Sequence, residues 1–377
     1  MSYGSGSTTV EADVAIIGAG PSGTATAIQL GQLGVQNVVL VDRHDFPRDK
    51  TCGSGISPKG IKALKELGVW EAIEPEAYRV SGLRLVTPGD REAYLSGGDA
   101  AAAVICLRRH FDHTLLKRAQ VLGTTFVPHV FATELLTERG RVVGFRCRDD
   151  RVFRARHVVV AGGSHCTFGV TRQPRRIIQA IMGWWENVPF RAHHVEMVFD
   201  RSIAPYYGWL FPEGEERVNI GITYEDAPDR RQRARELFQR FLDKHYAARL
   251  RHARQLGPWK GHPIIYSYAI EELTSPGRVV VGEAGRMTHP ATAEGIYQGM
   301  RSGMLAAEAL ASMRLGGVTE QVATARYERA CRRAFLASFW GGGLFRRFVK
   351  TPAMDWILAT GQRPAVQGMV ARLMARM

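Results

Sequence analysis

The sequence predicts an α/β fold built on a parallel sheet, and three observations at its start predict it. The apolar run 13–17, DVAII, leads at once into the glycine turn Gly18-Ala-Gly20-Pro-Ser-Gly23. Apolar positions at helical spacing follow, Ala25, Ile28, Leu30 and Leu33, and stop at Gly34. A second apolar run, Asn37 to Val41, closes on Asp42. Strand, turn, helix and strand in that order form one right-handed crossover unit.

The glycines of the turn have separate tasks. Gly18 permits the tight bend, Gly20 lets backbone amides approach a pyrophosphate, and Gly23 lets helix and strand pack closely. Asp42, 24 residues after Gly18, can accept from a ribose hydroxyl. The turn therefore predicts a Rossmann-type dinucleotide site, with Arg43 beside it.

Composition sets outer bounds. The chain of 377 residues is 45% apolar, enough for a sizeable core but more than one domain usually holds. Its five cysteines show no C-x-x-C pair, so neither a disulfide framework nor a metal site is expected, and a cytoplasmic setting fits best. The first eleven residues are small and polar and read as a loose leader. No apolar run approaches the ~18 residues of a membrane span. A net charge of +14 admits nucleic acid, anionic lipid or an acidic small molecule as partner. Without zinc-finger spacing or an RNP-like motif, nucleic acid is not expected.

Further along, 80–95 read as two strands around Pro-Gly-Asp, and 124–160 as short strands with a hairpin at 138–141. An Arg-rich helix is expected over 229–255. Residues 278–303, RVVVGEAGRMTHPATAEGIYQGMRSG, read as a strand, a glycine turn at Gly282 and Glu283, a proline loop, and a helix starting near Ala293. From Arg332 to the end, eight basic residues stand against one acid among six Phe and Trp. This tail reads either as short helices, broken by Gly341–Gly343 and Pro352, at an anionic membrane surface or a greasy substrate entrance, or as a helical cap packed on the flavin domain.

The opening unit together with 278–303 resembles the para-hydroxybenzoate hydroxylase superfamily of flavoproteins. Three segments, PRDKTCGSGISP (47–58), RRHFDHTLLKRA (108–119) and PYYGWLFPEGEERVNIGI (205–222), narrow the resemblance to the geranylgeranyl reductase family. That resemblance implies FAD as cofactor, contacted by Gly18, Gly20, Gly23, Asp42, Arg43, Cys52, Gly53, Arg108, Gly282, Glu283, Gly295 and Ile296. It also implies a hydrophobic-substrate pocket at Tyr206, Tyr207, Gly208, Trp209, Phe211 and Pro212. Those aromatics also suit the core of an ordinary hairpin.

The implied organisation is a discontinuous FAD-binding domain (12–78, 100–170, 270–315), a mixed-sheet substrate domain (79–99, 171–269) and a C-terminal helical region (316–377). The implied reaction is reduction of a carbon-carbon double bond in a prenyl or similar substrate. Electrons would come from a reduced protein carrier or NAD(P)H. Such chemistry needs a proton donor, and Cys52, between basic residues and glycines, is the candidate catalytic thiol. Alternatively it is a small residue packed in a tight loop. His165 and His289 lie on presumed flavin segments.

Two departures bear on the reaction. Gly162 stands where hydroxylase relatives carry an aspartate used around the nicotinamide, and Ala293 replaces a glycine before the last helix. A flavin monooxygenase and a non-catalytic flavin-bound lipid-binding or electron-transfer protein are the alternatives. The stretch GWWENVP (183–189) lacks the W-x-W-x-I-P pattern of halogenases.

Overall fold

The computed structural model describes residues 9–96, 103–170, 177–225, 231–270 and 272–360. Its first sheet has eight strands. Five are parallel: Arg278–Val280, Val152–Val160, Thr9–Ile17, Val38–Val41 and Thr125–Val127, in that spatial order. The central strand Thr9–Ile17 is apolar through Val14, Ala15, Ile16 and Ile17 because helices cover one face and a hairpin layer the other. It begins at Thr9, so the end of the expected loose leader is strand: Thr9 to Ala12 pair in register with Val152 to Ala155.

Helix Pro21–Gln32 follows the glycine turn and packs against helix Ile296–Gly316. The two approach closely because Gly303 faces the first helix. A Cβ there would lie 2.4 Å from the Ser22 carbonyl oxygen.

The second sheet also has eight strands and is mostly antiparallel. Its centre runs Ile177–Glu186, Arg217–Glu225, Gly208–Pro212, His194–Val198 and Gly82–Val86, with Lys260–Ile265 on the far side of Ile177–Glu186. A small sheet of Gly55–Ile56, Ala103–Ile105 and Tyr78–Val80 adjoins it.

Two expected elements differ. The helix expected over 229–255 is helical at Arg231–His245 and Ala247–Leu250, then extended at Arg254–Gln255, which pairs with Glu186 and Trp185. The interruption is Tyr246, buried with its hydroxyl donating to Glu196 at 3.2 Å.

The expected break at Gly341–Gly343 does not occur: one helix runs Glu320–Val349. Each glycine costs a helix about 1 kcal/mol, but the buried stripe Tyr327, Cys331, Phe335, Phe339, Gly342, Arg346 and Val349 keeps helical period throughout. Gly342 is in that stripe because a Cβ would reach within 2.8 Å of the His289 ring. Phe335 and Phe339 join the core beneath Ile296 and Met300, so this part of the tail is a packed cap. Its last portion, 361–377, lies outside the described residues.

Candidate active site

A cavity of about 910 Å³ opens along the carboxyl ends of the parallel strands and continues beneath the second sheet. This is where open α/β sheets hold ligands. Gly18, Gly20, Asp42, Arg43, Cys52, Gly53, Arg108, Glu283, Gly295 and Ile296 all line it. Helix Pro21–Gln32 has Gly20 as its N-cap without a side-chain cap, and helix Ile296–Gly316 has Gly295 in the same position. Both helix ends therefore present free amides and partial positive charge towards the cavity.

The carboxylate of Asp42 fixes the turn, accepting from Ala19 N at 2.8 Å and His44 N at 2.9 Å. Its exposed rim still lines the cavity. Arg108 is held by a bidentate pair with Asp112, both bonds 2.8 Å, and Arg48 adds a contact to Asp112 at 3.1 Å. Burial opposes the Arg108 charge, but Asp112 outweighs it and the guanidinium stays firmly protonated. Glu283 accepts from Ile265 N at 3.2 Å, and burial raises its carboxyl above the usual range.

Two of the expected cofactor residues stand behind the wall. A Cβ on Gly23 would meet the Gly18 carbonyl oxygen at 1.9 Å, which is the close strand-helix packing expected of it. Gly282 donates to Ser302 Oγ at 2.9 Å and abuts Ser22.

The aromatic stretch divides by strand alternation. Tyr207, Trp209 and Phe211 line the cavity, whereas Tyr206, Gly208 and Pro212 do not. Side chains along Gly208–Pro212 point alternately to opposite sheet faces. Gly208 meets the Phe241 ring of helix Arg231–His245, and Tyr206 is buried beneath the Arg346 guanidinium, 4.5 Å from its ring centre. The pocket expectation for those three residues is corrected accordingly.

Tyr207 donates to the Thr292 carbonyl at 2.5 Å, and Trp209 Nε1 donates to Asn219 Oδ1 at 2.7 Å. Burial raises the Tyr207 phenol well above its ordinary value, so it remains a neutral donor. Trp209→Ala is expected to cost about 3–5 kcal/mol, because it opens the wall and strands the buried Asn219. Denaturant unfolding of Trp209→Ala and Trp209→Phe checks this, the phenylalanine variant losing only the hydrogen bond.

Cys52 stands where the two halves meet. Its sulfur accepts from Ser54 N at 3.3 Å and acts electrostatically on the Arg108 guanidinium. A Cβ on the adjacent Gly53 would lie 3.3 Å from Phe211. The loop after the glycine turn thus rests on the aromatic strand some 150 residues away in sequence.

Of the two histidines, His165 lines the cavity. His289 lies outside it, accepting from Thr292 N at 3.1 Å and contacting the Ser338 carbonyl at 3.2 Å. Burial pushes it down to about 4, as suits a neutral structural ring.

Sequence reasoning missed much of the apolar half: Met182 and Met197 come from two strands, Phe199 from the loop after the second of them, and Phe345 from the long C-terminal helix. It also missed His262 and Glu294, both on the wall. Among the described residues the one group with metal-ligand spacing is Asp90, Asp200 and His245. Lys244 already sits between its two carboxylates, at 2.8 and 2.9 Å, where a cation would go.

A parallel sheet with a glycine turn, joined to an antiparallel sheet over a shared cavity, is the architecture of a dinucleotide-dependent oxidoreductase. Residues 11–337 match the family described as FAD binding domain. Menaquinone reductase of Mycobacterium tuberculosis is 30% identical over 358 residues, 87% of this chain and 84% of that protein. Digeranylgeranylglycerophospholipid reductase 1 of Methanothermobacter thermautotrophicus is 27% identical over 347 residues, 85% of this chain and 82% of the relative. The solved structure of a geranylgeranyl bacteriochlorophyll reductase-like protein from Thermoplasma acidophilum superposes with a TM-score of 0.81 at 22% identity, covering 93% of this chain and 91% of that one. The chain belongs to the FAD-binding family, in its geranylgeranyl reductase and menaquinone reductase group, and is an FAD-dependent oxidoreductase.

The residues present fit that cofactor. Gly20 faces open space that a side chain would fill, beside free helix amides suited to a diphosphate. Asp42 directly follows the second strand and lines the same cavity, where its carboxylate suits a ribose hydroxyl.

Proposed function

We propose that the chain saturates carbon-carbon double bonds in a prenyl or comparably hydrophobic substrate. The observation that carries this reading is the continuity of the cavity, whose polar dinucleotide half runs directly into a half walled by Met182, Met197, Phe199, Tyr207, Trp209 and Phe211. An extended apolar chain gains about 25 cal/mol per Å² buried in such a wall. The names of the menaquinone and digeranylgeranylglycerophospholipid reductases support a lipid or quinone bearing isoprene units.

Bound FAD, once reduced, supplies the hydride. The chain's own task is to hold one double bond over that centre, keep water out and deliver a proton to the second carbon. On this reading Gly18, Gly20, Asp42, Arg43, Arg108, Glu283, Gly295 and Ile296 hold the cofactor, and Tyr207, Trp209 and Phe211 hold the chain. Incubation with a prenylated lipid under anaerobic reducing conditions, followed by mass spectrometry, tests it. A gain of two hydrogens per double bond is expected. An oxygenated product in air would favour a monooxygenase instead, and tight retention without conversion would favour a binding protein.

We propose further that a reduced protein carrier, rather than NAD(P)H, is the direct donor. A Cβ at Gly162 would lie 2.8 Å from Cys166 Sγ, so this loop does not admit the aspartate of the hydroxylases without moving Cys166. Anaerobic stopped-flow is expected to show slow flavin bleaching by NADPH and ready bleaching by dithionite. Fast reduction at micromolar NADPH would sink the donor assignment.

No described helix is long and apolar enough to cross a membrane. Trp340, Leu344 and Trp356 are nonetheless 65%, 63% and 76% exposed on the basic tail. The tail is proposed to touch anionic lipid, where a greasy substrate resides. Vesicle co-sedimentation should then rise with anionic lipid and fall with salt. Equal recovery on neutral vesicles would leave the tail as a cap alone.

A further inference from the structure

Three segments meet at the polar half of the cavity, Lys50 and His262 on its wall and Ser164 beside His262. Lys50, on the loop after the second strand, brings Nζ to 3.2 Å from His262 Nε2. Ser164, in the short turn after Val152–Val160, brings Oγ to 3.1 Å from the same nitrogen. His262 itself lies on strand Lys260–Ile265 of the other sheet, paired with Ala180. His165 sets its ring edge-on to His262 at 5.5 Å.

One imidazole nitrogen cannot satisfy an ammonium and a hydroxyl equally well, and Lys50 here meets a base rather than a carboxylate. The charges facing His262 are those of Lys50, His165, Arg108 and Arg43, with Glu283 as the acid lining the same wall. Glu283 offsets only part of this charge, so an anion is favoured among these groups. Gly20, at the N-terminus of helix Pro21–Gln32, lines the same cavity.

We infer that Lys50, His262 and Ser164 form a clamp on the diphosphate of the bound dinucleotide, and that His262 takes up a proton as the clamp closes. The inference rests on FAD lying along the glycine turn. The clamp ties the second sheet to the cofactor: the ammonium and hydroxyl turn from the ring to the phosphate oxygens, and the protonated ring becomes a third donor. Burial first, then Lys50, His165, Arg108 and Arg43, hold His262 down to about 3 without an anion. Two nearby negative charges act in the opposite direction.

The sign follows. In the empty protein His262 binds its proton far below its unfolded value of ~6.5. The unfolded chain therefore binds more protons between those values, and empty-protein stability falls as pH drops from ~6.5 towards about 3. FAD, by raising the bound value, gains affinity as pH falls through that raised value towards about 3.

Calorimetric titration of FAD into flavin-stripped protein, in two buffers of different ionisation heat, reads the proton count directly. Near pH ~6 the unsubstituted protein is expected to take up a measurable fraction of a proton that grows as pH falls, and His262→Gln almost none. His262→Gln should bind FAD about tenfold more weakly there and within about twofold at pH ~8. Lys50→Met, on a loop, serves as the second variant and should weaken FAD at both pH values. Equal uptake and affinity in His262→Gln and the unsubstituted protein would overturn the inference. So would inorganic diphosphate binding the FAD-loaded protein through His262 while FAD loading itself takes up no proton, which would assign the clamp to a substrate headgroup. Failure of FAD to bind the unsubstituted protein at all would instead overturn the glycine-turn reading beneath it.

Discussion

Gly20→Val is expected to yield a folded protein that does not retain FAD, whereas Gly23→Val is expected not to fold. The two glycines are three residues apart in one turn, and their surroundings set opposite outcomes. Gly20 has φ −77° and ψ −175°, which any residue adopts, and no atom lies within 4 Å of a Cβ built on it. Valine there meets no protein, but its methyl groups fill the cradle beside the free amides. Loss of close approach to those amides should weaken FAD by at least about 100-fold, or about 2.7 kcal/mol.

At Gly23 the same change drives a Cβ to 1.9 Å from the Gly18 carbonyl oxygen and 3.1 Å from its carbon. Those are backbone atoms of the central turn, so helix and strand must part. Overpacking of that kind costs about 1–3 kcal/mol or more in a deformable core, and here the backbone cannot turn aside. A 1.9 Å clash with rigid backbone exceeds that figure, and against a total that can be as low as about 5 kcal/mol the fold is forfeited. Thermal melts and flavin absorbance on the two purified variants separate the cases. A yellow, stoichiometrically loaded Gly20→Val protein would remove the glycine turn from the cofactor site.

How much of this was legible in the sequence depended on how local each signal was. The strand-turn-helix-strand opening was readable because its spacing and its glycines act within 30 residues. The aromatic stretch was readable as a pocket wall but not by face: all six residues were expected in the pocket, and the two-residue period of the strand leaves Tyr207, Trp209 and Phe211 there. The glycine triplet 341–343 read as a break because propensity is local, while His289 and Tyr268, which pack against Gly342 and Gly343, lie far away in the chain. His262 carried no signal at all. A lone histidine acquires meaning only when its strand pairs with Ile177–Glu186 and brings it to Lys50.

Cys52→Ser is expected to keep FAD and to lower the rate at which substrate re-oxidises the reduced enzyme by about 100-fold. Saturating a double bond adds a hydride to one carbon and a proton to the other, and a water-excluding wall must supply that proton from a side chain. Cys52 stands at the junction of the polar and apolar halves, its loop in contact with Phe211. Around the sulfur, Ser54 N donates at 3.3 Å and the Arg108 guanidinium is an electrostatic neighbour. A serine hydroxyl fits the same space and accepts the same bond but is a far weaker acid than a thiol, which ordinarily titrates near ~8.5. Positioned general acids contribute about 10²–10⁴-fold, and the lower figure applies where a weak donor remains. Anaerobic single-turnover absorbance, starting from photoreduced enzyme and a saturating prenyl substrate, measures the step apart from the electron donor. Cys52→Ala should be at least as slow with flavin content unchanged. An unchanged rate in Cys52→Ser would reduce the residue to loop packing, and loss of flavin from Cys52→Ala would make its role structural, with the proton to be sought at Tyr207 or Glu294 on the same wall.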